Sequence, residues 1–199
     1  NPVALRQAVE TNGASVRSGM QNFIDDVIAG DIRMTNPDDF KVGENLATTP
    51  GAVVARNHML EVIRYAPTQP KLHATPIVIV TPWINKFYVL DLTAKKSMVR
   101  YLLDQGFDVY LIDWGIPRRE HSHFNLDHYV GEVLPECLEK VRDDSGEEEV
   151  SLVGYCLGGV LAMMHTALAR PGQVRALACF TTPVDTNGMK LYKAWAESE

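Results

Sequence analysis

Hydrophobic positions change period several times along the 199-residue chain, and each change marks an element. The period is helical at first. Residues 2–9 begin with Pro2, which suits the first turn of a helix. Residues 15–28 place Val16, Met20, Phe23, Ile24 and Val27 on one helical face. Asn36-Pro37-Asp38-Asp39 predicts a turn. After Thr49-Pro50-Gly51 the texture becomes β-type. Residues 52–56 and 59–65 flank Asn57-His58 and predict a hairpin, closed by Pro67 and Pro70. Ile77–Val80 is continuously apolar, which predicts a strand buried on both faces, followed by a loop over 81–86.

Residues 93–105 read as a helix stopped by Gly106, and 107–112 as a strand running into Asp113-Trp114-Gly115. A polar loop over 116–125 leads to an amphipathic helix over 126–142, ending near Ser145-Gly146, and Glu147-Glu148-Glu149 is a solvated turn. Val150–Tyr155 is a β-rich run, residues 157–169 are an apolar helix, and Pro171-Gly172 breaks the chain before a last strand at Val174–Phe180. Residues 189–199 are helix-like. Buried strands alternating with helices predict an α/β class: a mostly parallel sheet of βαβ units with helices on both faces, after an antiparallel start. The expected organisation is an N-terminal helical region over 1–48 and a core over 49–199.

Composition changes this picture little. With 46% hydrophobic residues, 22% charged residues and a net charge of -6, the chain is long and apolar enough for one sizeable core. Acidity without a Lys/Arg stripe argues against nucleic acid as the main partner. Residues 150–169 carry no Asp, Glu, Lys or Arg and reach the length of a membrane span. Gly158-Gly159, Ser151, His165 and Thr166 fit a buried strand and helix better, so no transmembrane segment is expected. The three cysteines (Cys137, Cys156 and Cys179) have no metal-ligand spacing, which points to a reducing, cytoplasmic setting. Cys137 and Cys179 read as small buried residues. The chain begins at Asn1, and residues are expected to precede it.

The candidate chemistry lies where the Val150–Tyr155 run meets the apolar helix. Gly154, Cys156, Gly158 and Gly159 form G-x-C-x-G-G, the cysteine form of a strand–turn–helix nucleophile elbow. Such a turn lifts the side chain clear of the sheet, and the helix that follows offers free N–H groups and a positive dipole end that favour the thiolate. The architecture is then an α/β-hydrolase fold, in which acid and histidine follow the nucleophile. After Cys156 the one histidine is His165, nine residues on, about 13 Å along the helix and out of reach. His58, His73, His121, His123 and His128 precede the elbow. Asp185, after the last strand, is either an accessory acid or a loop or cap aspartate.

Either His121, His123 or His128 serves as an unorthodox base, or, as is the expectation, the sequence is a fragment whose fold is incomplete and whose catalytic Asp and His lie beyond Glu199. Alone it should be inactive and poorly soluble, because Val174–Phe180 would present an apolar open edge. His121, His123 and His128 with Asp127 fit no common ligand set, so no metal site is expected.

Six blocks carry a resemblance: 45–51 (NLATTPG), 60–67 (LEVIRYAP), 82–91 (PWINKFYVLD), 111–115 (LIDWG), 154–159 (GYCLGG) and 181–185 (TTPVD). In this order the chain resembles the polyhydroxyalkanoate synthases. The resemblance implies polymerisation of (R)-3-hydroxyacyl-CoA into storage polyester with release of CoA, through a thioester on Cys156. It implies no cofactor, since the CoA thioester is substrate. It also implies association with cytoplasmic polyester granules, and either a homodimer or pairing with a second synthase subunit. The thiolate suits this exchange, because attacking and leaving sulfurs are similar in energy. The Leu157 N–H is the first expected oxyanion donor, and that of Ile84 or Asn85 the second. Trp83 and Phe87 line an acyl channel or belong to the core; Arg118 and Arg119 meet CoA phosphates or are solvated. Two other readings stay open: a cysteine-elbow thioesterase or dienelactone-hydrolase-like enzyme, and a non-catalytic granule-surface protein.

Overall fold

The computed structural model describes residues 1–32, 34–36, 39–185, 188, 190 and 194. Pro37 and Asp38 of the first expected turn, and almost all of the helix-like stretch over 189–199, lie outside the described residues. Contacts divide the chain into Asn1–Lys41 and Val42–Glu199. In the first unit, α1 (Pro2–Glu10) and α2 (Ala14–Ala29) match the helical periods. The Asn1 side chain caps α1 by accepting from the Val3 N–H at 3.0 Å.

The second unit is built on a sheet whose strands are β1 (Gly51–Arg56), β2 (Glu61–Tyr65), β3 (Ile77–Val80), β6 (Val109–Asp113), β7 (Val150–Tyr155) and β8 (Val174–Phe180). Their spatial order is β1-β2-β6-β3-β7-β8. The β1–β2 hairpin forms because the Asn57 side chain accepts from the N–H groups of Met59 and Leu60, both at 2.9 Å. β1, β2 and β6 pair antiparallel, and β6, β3, β7 and β8 pair parallel. The antiparallel start and parallel remainder are as the sequence predicts.

All four residues of β3 are buried, and they alternate between two cores. Val78 and Val80 pack with Tyr110, Ile112 and Leu152 beneath α5 (Leu134–Ser145) and α6 (Leu157–Leu168). Ile77 and Ile79 pack with Leu111 and Val153 against Val99 and Leu103 of α3 (Met98–Asp104). Both faces of the sheet are therefore covered. Arg64 on β2 clamps one end: its guanidinium meets Asp108 twice, at 3.1 and 2.7 Å, and Asp144 at 3.0 Å, while the Tyr110 hydroxyl donates to Asp144 at 2.8 Å.

Three expectations are corrected. The helix expected over 93–105 is only α3, because β4 (Asp91–Thr93) and β5 (Lys96–Ser97) form a short ribbon ahead of it. Ser97 decides this: its hydroxyl donates to the buried Asp91 at 2.6 Å and accepts from the Arg100 N–H at 2.9 Å, starting the helix there. The helix expected over 126–142 is broken into α4 (Leu126–His128), a π-helical turn at Tyr129–Val133, and α5. Pro135 in the first turn of α5 has no N–H to give, which loosens the register ahead of it. Cys137 is buried as expected, but Cys179 is exposed. It sits on β8, which pairs only with β7 among the described residues.

Candidate active site

Cys156 stands between β7 and α6 with φ 52° and ψ -122°, torsions that a residue bearing a Cβ rarely adopts. The surrounding hydrogen bonds hold it there. Its N–H donates to the Phe180 carbonyl on β8 at 2.9 Å, and its own carbonyl accepts from the Gly159 N–H at 3.0 Å. Cys156 is half-buried. Leu157 is the first residue of α6, where N–H groups have no intrahelical acceptor.

The three elbow glycines have separate steric reasons. A Cβ on Gly154 would collide with the backbone of Gly159, one on Gly158 with the Val80 carbonyl and Thr81, and one on Gly159 with the side chain of Thr182. The first turn of α6 is thus wedged between the ends of β3, β7 and β8. In the sequence Thr182 is marked only by its place after the last strand, within the 181–185 block, and nothing there ties it to Gly159.

The loop after β3 is braced. The Thr81 hydroxyl donates to the Ile112 carbonyl at 2.6 Å, and Trp83 stacks on Tyr129 at 5.7 Å with an interplanar angle of 28°. Ile84 and Asn85 are exposed. The Asn85 N–H donates to the Pro82 carbonyl at 3.1 Å, so it belongs to the turn. Trp83 packs against the α5–α6 core. Phe87 packs on the opposite core and lines a cleft of about 190 Å³ with Thr49, Ile63 and Tyr65. A larger hollow, about 610 Å³, is lined by Arg142, Gly146, Arg170 and Gly172 where β7 and β8 begin, at the far end of β7 from Cys156.

The histidines are occupied elsewhere. His165 on α6 is buried and bonded to the backbone of Val130; burial holds its basicity below the ordinary value, with Arg142 adding to the effect. Phe124 is the centre of a ring cluster, stacked on His128 at 3.9 Å and on His121 at 5.4 Å, with His123 at 4.4 Å and His58 at 5.5 Å. His128 also meets Glu132 at 3.0 Å. No described histidine is hydrogen-bonded to Cys156. Among the described residues no group of His, Cys, Asp and Glu, Asp127 included, is arranged to hold a metal ion. Arg118 and Arg119 are exposed, and Arg118 lies 3.7 Å from Glu120. Asp185 is exposed in the loop after β8. No helix among the described residues is long and apolar enough to cross a membrane; residues 150–169 are β7 and α6.

Residues 1–102 match the family described as poly-beta-hydroxybutyrate polymerase (PhaC) N-terminus, and residues 76–195 match the alpha/beta hydrolase fold. The chain is 38% identical to the poly(3-hydroxyalkanoate) polymerase subunit PhaC of Rhizobium meliloti, over 93% of this chain and 31% of that protein. It is 38% identical to the subunit of the same name in Cupriavidus necator, over 85% of this chain and 28% of that one. It is 36% identical to poly(3-hydroxyalkanoate) polymerase 1 of Ectopseudomonas oleovorans, over 94% and 34%. The chain spans about a third of the length of these curated relatives. Among solved structures, epoxide hydrolase A from Mycobacterium thermoresistibile superposes with a TM-score of 0.50 at 18% identity, over 75% of this chain and 44% of that one. A sugar hydrolase from Lactococcus lactis gives 0.50 at 16% identity, over 69% and 55%. These two likenesses concern the fold alone. With half its length matching the polymerase N-terminus and the rest an α/β-hydrolase core, the chain belongs to the poly-beta-hydroxybutyrate polymerase (PhaC) family.

Proposed function

We propose that this chain carries the nucleophile of a polyhydroxyalkanoate synthase, an acyltransferase that joins (R)-3-hydroxyacyl units from CoA thioesters into polyester. The observation that supports this most is the position of Cys156, at φ 52° on a turn whose three glycines are each required by a neighbour. The Cys156 sulfur attacks the thioester carbonyl, and a carbon–sulfur bond forms as the carbonyl oxygen takes negative charge. The Leu157 N–H, at the positive end of α6, and the Ile84 N–H are the donors we assign to that oxyanion. Asn85 is the weaker candidate because its N–H is already given to Pro82. Collapse expels the CoA thiolate and leaves the acyl group on sulfur. The 3-hydroxyl oxygen of another unit then attacks this thioester, its proton passes to a base, and the Cys156 sulfur leaves.

The base, and an aspartate that assists the hydroxyl, belong by family resemblance to positions beyond those matched here, with Asp185 an accessory. No cofactor is needed for this exchange. The partners are the acyl-CoA and the growing polyester, at the surface of cytoplasmic granules, with the enzyme a homodimer or paired with a second synthase subunit.

The test is incubation of the full-length protein with 3-hydroxybutyryl-CoA. Polymer appearing together with CoA supports the synthase, and free hydroxy acid with CoA supports a cysteine-elbow hydrolase. Retention of labelled acyl group by Cys156→Ala would sink both and favour a non-catalytic surface protein.

A further inference from the structure

We propose that Thr182 is a positioning residue for the nucleophile: seated on Gly159 and sharing the Phe180 carbonyl with the Cys156 N–H, it fixes the first turn of α6 against β8. This rests on the assignment of Cys156 above.

The geometry is a closed set of short links. β7 and β8 run parallel up to the Tyr155–Phe180 pair, and the next N–H, that of Cys156, still reaches the Phe180 carbonyl at 2.9 Å. The same carbonyl accepts from the Thr182 hydroxyl at 3.3 Å. Between them Thr181 turns the chain with φ 48°, a left-handed conformation costly for a β-branched residue. That turn brings Thr182 back over α6, where its Oγ1, Cβ and Cγ2 fill the space a Cβ on Gly159 would take. Two neighbouring residues, Cys156 and Thr181, thus hold rare torsions at the ends of adjacent strands. Strain of this kind persists only where surrounding contacts over-determine it. Thr182 follows one of these residues in the chain, bonds to the carbonyl that the N–H of the other uses, and packs on the turn that other opens. Removing its side chain leaves the first turn of α6 free to settle towards β8. That motion carries Leu157 and the Cys156 sulfur out of line with a bound thioester.

A displacement of this kind acts on the transition state, where a shift of about 1 Å can cost up to 100-fold. In the full-length protein, Thr182→Ala is expected to lower kcat about tenfold with KM within about twofold, while Thr182→Ser keeps most of the rate. Gly159→Ala should be nearly inactive, and adding Thr182→Gly should restore part of its rate by vacating the contested space. If Thr182→Ala folds poorly, this Gly159 pair decides. Unchanged kcat in Thr182→Ala, a rise in KM alone, or no rescue in the pair would overturn the assignment. Polymer synthesis persisting in Cys156→Ala would instead overturn the nucleophile reading beneath it.

Discussion

The indole of Trp114 donates to the Thr81 carbonyl at 2.7 Å, tying the end of β6 to the first residue after β3. Thr81 returns the link through its hydroxyl to Ile112, and its backbone lies against Gly158. Trp114→Phe would keep the packing but leave a buried carbonyl unpaired, at a cost of about 1–3 kcal/mol. Urea unfolding should show this loss. Because the Ile84 loop hangs from Thr81, the acylation rate of Cys156 should fall further than stability alone explains.

Gly158→Ala places a methyl group on the Val80 carbonyl, which belongs to a fully buried strand and cannot yield. The expected outcome is loss of acyl labelling and a lowered melting temperature. Gly19→Ala is the contrasting case. Nothing approaches that position in the interior of α2, so removing glycine should favour the helix by about 0.5–1 kcal/mol. Circular dichroism on both variants checks the pair.

Arg64 and Asp108 make a two-point contact in which Asp108 is almost wholly buried while Arg64 keeps a third of its exposure. Asp108→Ala should destabilise by about 2–3 kcal/mol, at or below the low end for a broken buried pair because water still reaches the guanidinium. Asp144→Ala should cost less, since both it and Arg64 are partly solvated.

Stability should fall on both sides of neutrality. Burial pushes the Cys137 thiol and the Tyr65 and Tyr110 phenols up, with the Asp91 field assisting at Tyr65 and the Asp144 hydrogen bond at Tyr110. As pH rises past about 9 and then 10, these groups lose protons in the unfolded chain but not in the folded one, so alkali favours unfolding. His165 works in the opposite direction. Its folded value is lowered by burial, so its contribution is present above about 6.5 and is lost as pH falls below that. Unfolding midpoints measured across this range should show both slopes, with the acid slope reduced in His165→Leu.

β8 leaves Ala178, Cys179 and Phe180 exposed beside an edge unpaired among the described residues. The 199-residue polypeptide expressed alone should therefore aggregate. Ala178→Lys should raise its soluble fraction on size exclusion, because charge at an open edge opposes strand addition.

The chain states its framework openly and its bracing hardly at all. β3 and β8 are bounded by their apolar runs, and the elbow is legible because G-x-C-x-G-G meets a strand on one side and a helix on the other. The start of α3 is not, since Ser97 is chosen by Asp91, which lies in the partner strand of a small ribbon. Cys179 misleads for a related reason: an apolar alternation says that a face should be covered, not whether it is. The ring cluster about Phe124 gathers His58 from a distant hairpin, and Thr182 reaches Gly159 only once β8 has taken its register. Contacts that depend on register and on distant partners leave no local trace.

The strand order β1-β2-β6-β3-β7-β8 has one more result. From β3 the chain crosses over α3 to reach β6 on one side, whereas from β7 it crosses over α6 to reach β8 on the other. The connections leaving β3 and β7 therefore depart to opposite sides, which makes the carboxyl ends of these two neighbours a topological switch point, the place where open α/β sheets take their ligands. The loop holding Ile84 follows β3 and the bend holding Cys156 follows β7, and these two strands are paired neighbours. On the reading of Cys156 as nucleophile, it is the order of the strands, set far from the elbow itself, that brings the sulfur and the Ile84 loop to the same edge of the sheet.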